Sequence, residues 1–157
     1  MLAELAQRKR VERALRLALR DLRRSEQRWS DFFENAAFAL HSVAADGTIA
    51  WANRAELALL GYAPEQYVGH DIRAFHVDAP AAEDILARLA RGEELHDYPA
   101  RMRAQDGGVR HVLITTNARM SDGKLASTRC SMRDVTKSVV DSLRVSKLAR
   151  ITSMLAD

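Results

Sequence analysis

The fold is decided by one stretch of this chain, Asp46-Gly47-Thr48-Ile49-Ala50-Trp51-Ala52-Asn53-Arg54-Ala55-Glu56. Its Asp-Gly pair between apolar residues predicts a hairpin turn, because glycine adopts positive φ without a steric penalty. The residues from Thr48 to Ala52 are then predicted to run extended, with Ile49 and Trp51 on one face of the strand.

Asn53 ends this strand and is predicted to begin a helix. Its side chain can accept a backbone N–H of the next turn, while Glu56, three residues later, can reach back to the backbone of Asn53. This arrangement is a capping box, and the helix that it opens carries Leu57, Leu59 and Leu60. Strand, turn, strand and capped helix are therefore expected to follow one another without a break.

The composition is that of a protein with a buried core, since 47% of the 157 residues are hydrophobic and 29% are charged. The longest apolar runs are far shorter than the ~18 residues that a bilayer requires, and the N-terminus lacks the apolar segment of a signal peptide. We therefore expect a cytoplasmic protein without membrane contact. The single cysteine, Cys130, excludes an internal disulfide and a Cys-rich metal cluster.

The chain has a net charge of +3, and the excess of positive charge is concentrated in the first thirty residues. The segment from Leu2 to Trp29 has no Gly or Pro, and its apolar residues recur at three- and four-residue steps, which predicts a long amphipathic helix with arginines outside. Coiled-coil or other helical packing is the favoured interpretation. Nucleic-acid binding and an uncommitted solvated helix remain alternatives, and two heptad frames fit about equally.

Short helices are predicted in the middle of the chain. Gly61 ends the helix of the opening stretch, and Pro64 begins a short turn, since proline is tolerated at the first helical position. The section that follows is expected to be irregular. Asp78 or Ala79 is then predicted to cap a longer helix, Pro80 to Arg91, whose inward residues are Ile85, Leu86 and Leu89.

Three further strands complete the predicted fold. They are separated by the turns Asp106-Gly107-Gly108 and Ser121-Asp122-Gly123-Lys124, which predicts an antiparallel meander. Two strands, several short helices and three strands predict an α+β fold, with one five-stranded antiparallel sheet and the helices on one face. The strand from Val109 to Met120 has apolar residues on both faces, so the N-terminal helix or a partner subunit is expected to cover the other face.

The order of these motifs resembles that of a PAS domain. The resemblance covers about residues 30–136 and rests on Asp46-Gly47-x-Ile49, Asn53-x-Ala55, Gly61-Tyr62-x-x-Glu65-x-x-x-Gly69, Asp106-Gly107 and Arg133-Asp134-Val135-Thr136. It implies a PAS-like sheet and helices around a central pocket, which sense small molecules, light or redox state, or dimerise. The predicted domains are an N-terminal helix at 1–29, a PAS sensor domain at 30–136 and a C-terminal signalling helix at 137–157.

The resemblance implies a ligand pocket, for which we predict Trp51, Leu57, Ile85, Tyr98, Met102, Cys130 and Met132. A flavin photosensor of this family needs a cysteine where Gly69-His70-Asp71-Ile72-Arg73 has Ile72, which argues against a flavin photoadduct. Haem is disfavoured because the residues from Ala81 to Arg91 contain no histidine, although His70 or His76 stays open as a ligand. The cofactor is therefore unknown.

The remaining histidines and the cysteine are not predicted to form a metal site or a catalytic site. His76-x-Asp78 supplies two ligands where zinc usually takes about four, so no metal site is predicted and His76 is read as a loop-to-helix residue. Cys130 is expected to pack as a small apolar residue. The five histidines, His41, His70, His76, His96 and His111, fall on different elements, and no catalytic set can be assembled. The chain is not expected to be an enzyme.

The last segment is predicted to be a second long helix. No Gly or Pro follows Thr136, and the spacing of the apolar residues shifts between Leu143 and Leu148, as in a stutter between two heptad frames. The segment is similar to the helix that leads to the phosphoacceptor histidine in sensor kinases. Asp134, Val135 and Thr136 resemble the junction that passes a signal into it.

These features predict a dimeric sensory module that passes a pocket or interface event to an output domain, with a histidine kinase and a response regulator as the expected partners. The alternative is a ligand-free, constitutive dimerisation module, and DNA binding by the arginine-rich helix is the least favoured reading. Homodimer contacts are predicted at Val11, Leu15, Leu19, Leu22, Trp29, Val140, Leu143, Leu148, Ile151 and Leu155.

Overall fold

A computed structural model describes the backbone of residues 1–156 and the side chains of residues 1–154. The chain divides into two compact units, Met1–Asn35 and Ala36–Asp157. The first unit is a single helix, α1 (Leu2–Glu34), which continues past the end predicted at Trp29. Near its end the rings of Trp29, Phe32 and Phe33 form an aromatic cluster, with centroids 5.6 to 6.2 Å apart.

The second unit contains the strands and helices in the predicted order, and the section expected to be irregular includes a short 3-10 helix. The elements are β1 (Ala39–Val43), β2 (Ile49–Ala52), α2 (Arg54–Leu60), α3 (Pro64–Tyr67), the 3-10 helix (Ile72–Phe75), α4 (Ala79–Ala90), β3 (Leu95–Arg103), β4 (Val109–Ser121), β5 (Lys124–Asp134) and α5 (Thr136–Ala156).

The five strands form one antiparallel sheet in the order β2-β1-β5-β4-β3. The α+β prediction and the five-stranded sheet are therefore confirmed. The last strand in sequence, β5, lies at the centre, between the first and the fourth. Because β5 also leads directly into α5, the exit helix starts from the middle of the sheet rather than from an edge.

The predicted hairpin forms at Asp46-Gly47. Gly47 has φ of +95°, which favours glycine, and the backbone N–H of Ala44 donates to the carbonyl of Thr48 at 2.8 Å. The expectation that Ile49 and Trp51 share a face is wrong. Val43 pairs with Ile49 and Ser42 with Trp51, so an irregularity at this point turns the two side chains to opposite faces of the sheet.

Asn53 joins the start of α2 to the start of β1. Its fully buried side chain accepts the N–H groups of Leu40 and Glu56, each at 3.0 Å, and donates to the carbonyl of Phe38 at 3.0 Å. The first half of the predicted capping box is thus present. The second half is replaced, because the carboxylate of Glu56 turns into the core and the N–H of Asn53 donates to Leu40.

The core lies between the sheet and α2 to α4. Along β4 the buried residues Val112, Ile114 and Thr116 alternate with the half-buried Leu113 and Thr115, as the two-faced pattern predicted. On the face of Leu113 an open groove of about 500 Å³ runs along the sheet. Coverage of that face by the N-terminal helix or by a partner stays a prediction.

We expect Asn53→Ala to lower the free energy of unfolding by about 2–4 kcal/mol, because it leaves one buried N–H group, one partly buried N–H group and one carbonyl without partners. Urea titration monitored by circular dichroism measures this change. Asn117→Ala is the matched control, since the Oδ1 atom of Asn117 has no hydrogen-bond partner, and it should cost under ~1 kcal/mol. Equal losses for the two variants would contradict the assigned role of Asn53.

Candidate functional site

A small cavity lies between the inward face of the sheet, the 3-10 helix and α4. Its volume is about 20 Å³, and its lining includes His41, Ile72, His76, Ile85, Thr128 and Cys130. A cavity needs about 10–15 Å³ to hold one water molecule. The space therefore accommodates one molecule of about that size.

The structure brings only part of the predicted pocket set to this cavity. Ile85 and Cys130 line it, while Met102 and Met132 are buried in the adjoining core. Leu57 and Tyr98 pack against the core and are partly buried, and the hydroxyl of Tyr98 donates to Asp84 at 3.0 Å. Trp51 lies opposite Ser42, on the other face of the sheet, because of the irregularity in the β1–β2 pairing.

A buried carboxylate is the main polar group beside this cavity. Glu56 on α2 has 0% exposure, and its two oxygens lie 2.9 Å from Nδ1 of His41 on β1. The hydroxyl of Tyr67 on α3 donates to the same carboxylate at 2.7 Å. Burial lowers the pKa of His41, but the charges of Glu56 and Cys130 outweigh this effect and hold the pKa well above its usual value.

His41 lies between the carboxylate of Glu56 and the single cysteine, Cys130. His41 and Cys130 are directly opposed in the β1–β5 pairing, so their side chains lie on the same face of the sheet, and both line the cavity. The sulfur lies 2.8 Å from Oγ1 of Thr116 and 3.2 Å from Oγ1 of Thr128. Burial raises the pKa of Cys130, but the charge of His41 and these hydrogen bonds more than offset it, so the net shift is downward.

His76 is the second histidine at the cavity, and its environment differs from that of His41. Its residue exposure is 6%, and its Nδ1 atom has no hydrogen-bond partner. Burial, together with the charge of His41, lowers the pKa of His76 to about 4. The ring is therefore neutral at physiological pH and presents an unpaired nitrogen in the interior.

His41 and His76 belong to different parts of the chain, as expected, but they line one cavity with Cys130, and Glu56 contacts His41. Cys130 is also more than the apolar residue that we expected, because it has three polar neighbours. Asp78, the other half of the His76-x-Asp78 pair, forms a bidentate ion pair with Arg101 at 2.6 and 2.8 Å. Within the described residues, no group of three or more His, Cys, Asp or Glu side chains is placed to hold a metal ion.

The alternation in β1 was the signal in the sequence that could have indicated this cluster. Ala39, His41 and Val43 lie at every second position, so they share the buried face of the strand. A histidine on a buried face needs a hydrogen-bonding partner, and Glu56 was assigned instead to the local capping box. The opposition of His41 and Cys130 depends on strand register, which the sequence does not specify.

The predicted signal junction is fastened to β4 through the backbone of His111. The N–H of Val135 donates to the His111 carbonyl at 2.8 Å, and the N–H of His111 donates to Oγ1 of Thr136 at 2.9 Å. Oδ1 of Asp134 accepts from the N–H and the hydroxyl of Thr136, at 2.9 and 2.6 Å. The start of α5 is therefore held to the strand beside β5.

The predicted dimer contacts on α1 are exposed within the chain, with exposures from 44% for Leu19 to 60% for Trp29. Of the predicted contacts on α5, Val140, Leu143, Leu148 and Ile151 are also exposed. The change in apolar spacing between Leu143 and Leu148 falls within α5. The side chain of Leu155 lies outside the described residues.

The comparison with protein families decides what this fold is. A family model described as the PAS fold matches residues 33–140, more than half of the chain. The chain belongs to the PAS family. No curated protein matches it, and no helix in residues 1–156 is long and apolar enough to cross a membrane.

Solved structures confirm the PAS fold. The PAS domain of an HTR-like protein from Haloarcula marismortui matches with a TM-score of 0.67 and 23% identity over 76% of this chain and 99% of that one. A domain of a sensory box sensor histidine kinase/response regulator from Geobacter sulfurreducens matches with 0.60 and 23%, over 72% and 96%. A LOV protein from Rhodobacter sphaeroides matches with 0.59 and 20%, over 67% and 63%.

The residues of the PAS cavity do not fit a flavin or a haem. The position expected for a photoreactive cysteine is the buried, aliphatic Ile72, which lines the cavity. The volume of about 20 Å³ is also far below the roughly 300 Å³ or more of a typical ligand site. Nε2 of His70 lies 3.1 Å from the carbonyl of Glu65 in an exposed position, so His70 is directed away from the interior.

We expect His76→Leu to reduce the loss of stability in acid. His76 is protonated below pH ~6.5 in the unfolded chain but only below about pH 4 in the folded chain. Protonation therefore favours the unfolded chain, and at pH 4 it lowers the free energy of unfolding of the wild type by up to about 3 kcal/mol. Urea titrations of both proteins between pH 7 and pH 4 measure this difference. Parallel stability curves would show that His76 is protonated in the folded state as readily as in the unfolded chain.

Proposed function

We propose that this PAS domain is a sensory module that passes an event at the His41–Cys130 pair along β5 into α5. The observation that supports this function is that the cavity-lining Cys130 and the junction residue Asp134 belong to the same central strand. A change in the cavity therefore acts on the strand that carries the exit helix, without an intervening loop.

The contacts of β5 indicate how such a change can be transmitted. Cys130 is paired with His41 on β1 and with Thr116 on β4. A chemical change at its sulfur therefore alters contacts with both neighbouring strands. The first residues of α5 are bonded to His111 on β4. A small displacement of β5 against β4 thus changes the orientation in which α5 starts. A stimulus that favours one orientation by ~1.4 kcal/mol shifts the equilibrium tenfold.

The proposed assembly is a parallel homodimer. The exposed apolar side chains of α1 and α5 are numerous for surface helices and repeat at helical spacing, as in dimerising helices. The proposed output is a histidine kinase that acts on a response regulator. The similarity of α5 to the helix before a phosphoacceptor histidine and the Geobacter sulfurreducens neighbour support that choice.

A constitutive dimerisation module is the second candidate, and the small cavity favours it, because side chains of the domain fill most of the pocket. Absorption spectra of the purified protein and mass spectrometry of small molecules released on denaturation separate the two functions. A released ligand at one equivalent supports a ligand sensor.

DNA binding by α1 predicts an affinity for duplex DNA that falls steeply with salt, and a flat or absent response would eliminate this function.

We expect the double variant Leu15→Glu, Leu22→Glu to shift the protein towards monomer, because both side chains are more than half exposed at 58% and 54% and would place charges in a helical interface. Multi-angle light scattering measures the shift. Arg13→Glu, Arg20→Glu is a control on the same helix for the effect of charge alone. An unchanged dimer in the leucine variant would remove α1 from the interface.

We expect Asp134→Ala to change the basal output and the response amplitude of a chain that carries its output domain, while the isolated domain remains folded and dimeric. The variant removes the acceptor for both the N–H and the hydroxyl of Thr136. If Asp134 only caps α5, the variant would lose about 1 kcal/mol of stability and signal normally. Output assays combined with urea titration distinguish a hinge from a cap.

A further inference from the structure

We propose that Cys130 is a peroxide-reactive thiol, activated by Glu56 through His41, and that hydrogen peroxide is its substrate. The proposal rests on a continuous buried path from a carboxylate to an imidazole to a thiol that ends at a cavity. Glu56 is hydrogen-bonded to Nδ1 of His41, and Cys130 lies directly opposite His41 on the neighbouring strand, where both residues line the cavity. The same order of acid, imidazole and thiol activates nucleophilic cysteines in enzymes.

The groups around the sulfur favour its ionised form. An imidazolium at His41 is stabilised by the carboxylate of Glu56, which is itself held by Tyr67. The hydroxyls of Thr116 and Thr128 both lie within hydrogen-bonding distance of the sulfur. Oγ1 of Thr128 accepts the N–H of Val43 at 3.0 Å and the thiol of Cys130 at 3.2 Å, and once that thiol has lost its proton the hydroxyl of Thr128 can donate to the thiolate instead. The downward shift in the pKa of Cys130 agrees with this geometry.

His76 supplies an independent indication of a ligand. Its unpaired Nδ1 is buried, and its ring lines the same small cavity as Cys130. A buried polar atom without a partner costs about 1–3 kcal/mol, so a molecule that donates a hydrogen bond there is stabilised. The volume of about 20 Å³ selects a molecule little larger than water, and the apolar surroundings of Ile72 and Ile85 disfavour a charged one. Water and hydrogen peroxide both meet these three conditions, and of the two only peroxide oxidises a thiolate.

The reaction consumes one peroxide and one proton. The thiolate of Cys130 attacks one peroxide oxygen, an S–O bond forms, and the O–O bond breaks. Sulfur is oxidised by two electrons to a sulfenic acid, and the departing hydroxide takes the proton of the His41 imidazolium to give water. The products are Cys–SOH, neutral imidazole and water, so no further oxidant or reductant is required.

The proposed oxidation of Cys130 uses residues of a single chain only. It requires neither dimerisation nor an output domain. It rests on the proposed function only in that sulfenic acid formation on β5 would be the pocket event that the sensor transmits. Failure of the output assays would leave the thiol chemistry intact. Failure of the thiol chemistry would leave a sensor for a different stimulus.

Sulfenic acid formation can be followed without ambiguity, because the chain has only one cysteine. The purified full chain is treated with hydrogen peroxide and dimedone, and the adduct is measured by mass spectrometry, with Cys130→Ser as the blank. We expect the folded protein to react at least fivefold faster at pH 7 than the same chain in urea, where a thiol of pKa ~8.5 is only about 3% ionised. Slower reaction of the folded chain would overturn the proposal, because Cys130 would then be a protected core thiol.

A second measurement tests the role of Glu56 and His41. Glu56→Gln preserves the shape of the side chain but removes the charge that holds the imidazolium, so we expect at least a tenfold slower reaction at pH 7 and a rate profile shifted to higher pH. Thr116→Val, which removes a hydroxyl at the sulfur, should slow the reaction severalfold even if Glu56→Gln does not fold. Its matched control is Thr115→Val, on the other face of β4. Profiles and rates equal to the wild type in both Glu56→Gln and Thr116→Val would contradict the proposed activation.

Discussion

The contact between Glu56 and His41 is the interaction on which the rest of this PAS domain depends. A carboxylate with no solvent exposure costs several kcal/mol to bury unless it is paired and hydrogen-bonded. The carboxylate of Glu56 is hydrogen-bonded to His41 on β1 and to Tyr67 on α3. The backbone N–H of Glu56 donates to the side chain of Asn53. Three elements are thus fixed around one group. Removal of any partner would leave a buried charge uncompensated, which is more costly than the loss of an ordinary contact.

The same contact sets the chemistry of the interior. His41 is hydrogen-bonded to Glu56 through Nδ1, and it lies directly opposite Cys130 in the centre of the sheet. The pKa of His41 is raised in the folded state, so its pairing stabilises the fold fully below pH ~6.5 and less as pH rises through the raised value. His76, whose pKa is lowered, has the opposite dependence. Two histidines in one cavity therefore respond to pH in opposite senses.

The sequence was informative wherever the determinants are local. Asp46-Gly47 predicted the hairpin and Asn53 the start of α2, because glycine conformation and side-chain capping act within a few residues. The alternation along β4 and the two later turns predicted the meander and hence the sheet. These elements sufficed to recognise the PAS fold.

The candidate site was less predictable, because it depends on long-range register. The carboxylate of Glu56 has a plausible local partner in Asn53, but it is hydrogen-bonded instead to His41 and Tyr67, which belong to two other elements. Trp51 was assigned to the pocket, and one irregularity between β1 and β2 places it on the opposite face. His41 and Cys130 meet only through the β1–β5 pairing, and His76, which follows the 3-10 helix, reaches the same cavity from another part of the chain. The alternation in β1 indicates that His41 is buried, but the spacing of the residues does not indicate its partners.

The protonation state of His41 tests the central claim most directly. In the chain labelled with ¹⁵N-histidine, the ring nitrogens of His41 are assigned by comparison with His41→Gln and followed by NMR from pH 5 to pH 9. The charge pairing with Glu56 predicts that both nitrogens carry protons at pH 7 and that deprotonation occurs well above pH ~6.5. A neutral imidazole at pH 7, with a single protonated nitrogen, would contradict the account of an ionised pair at the centre of the fold.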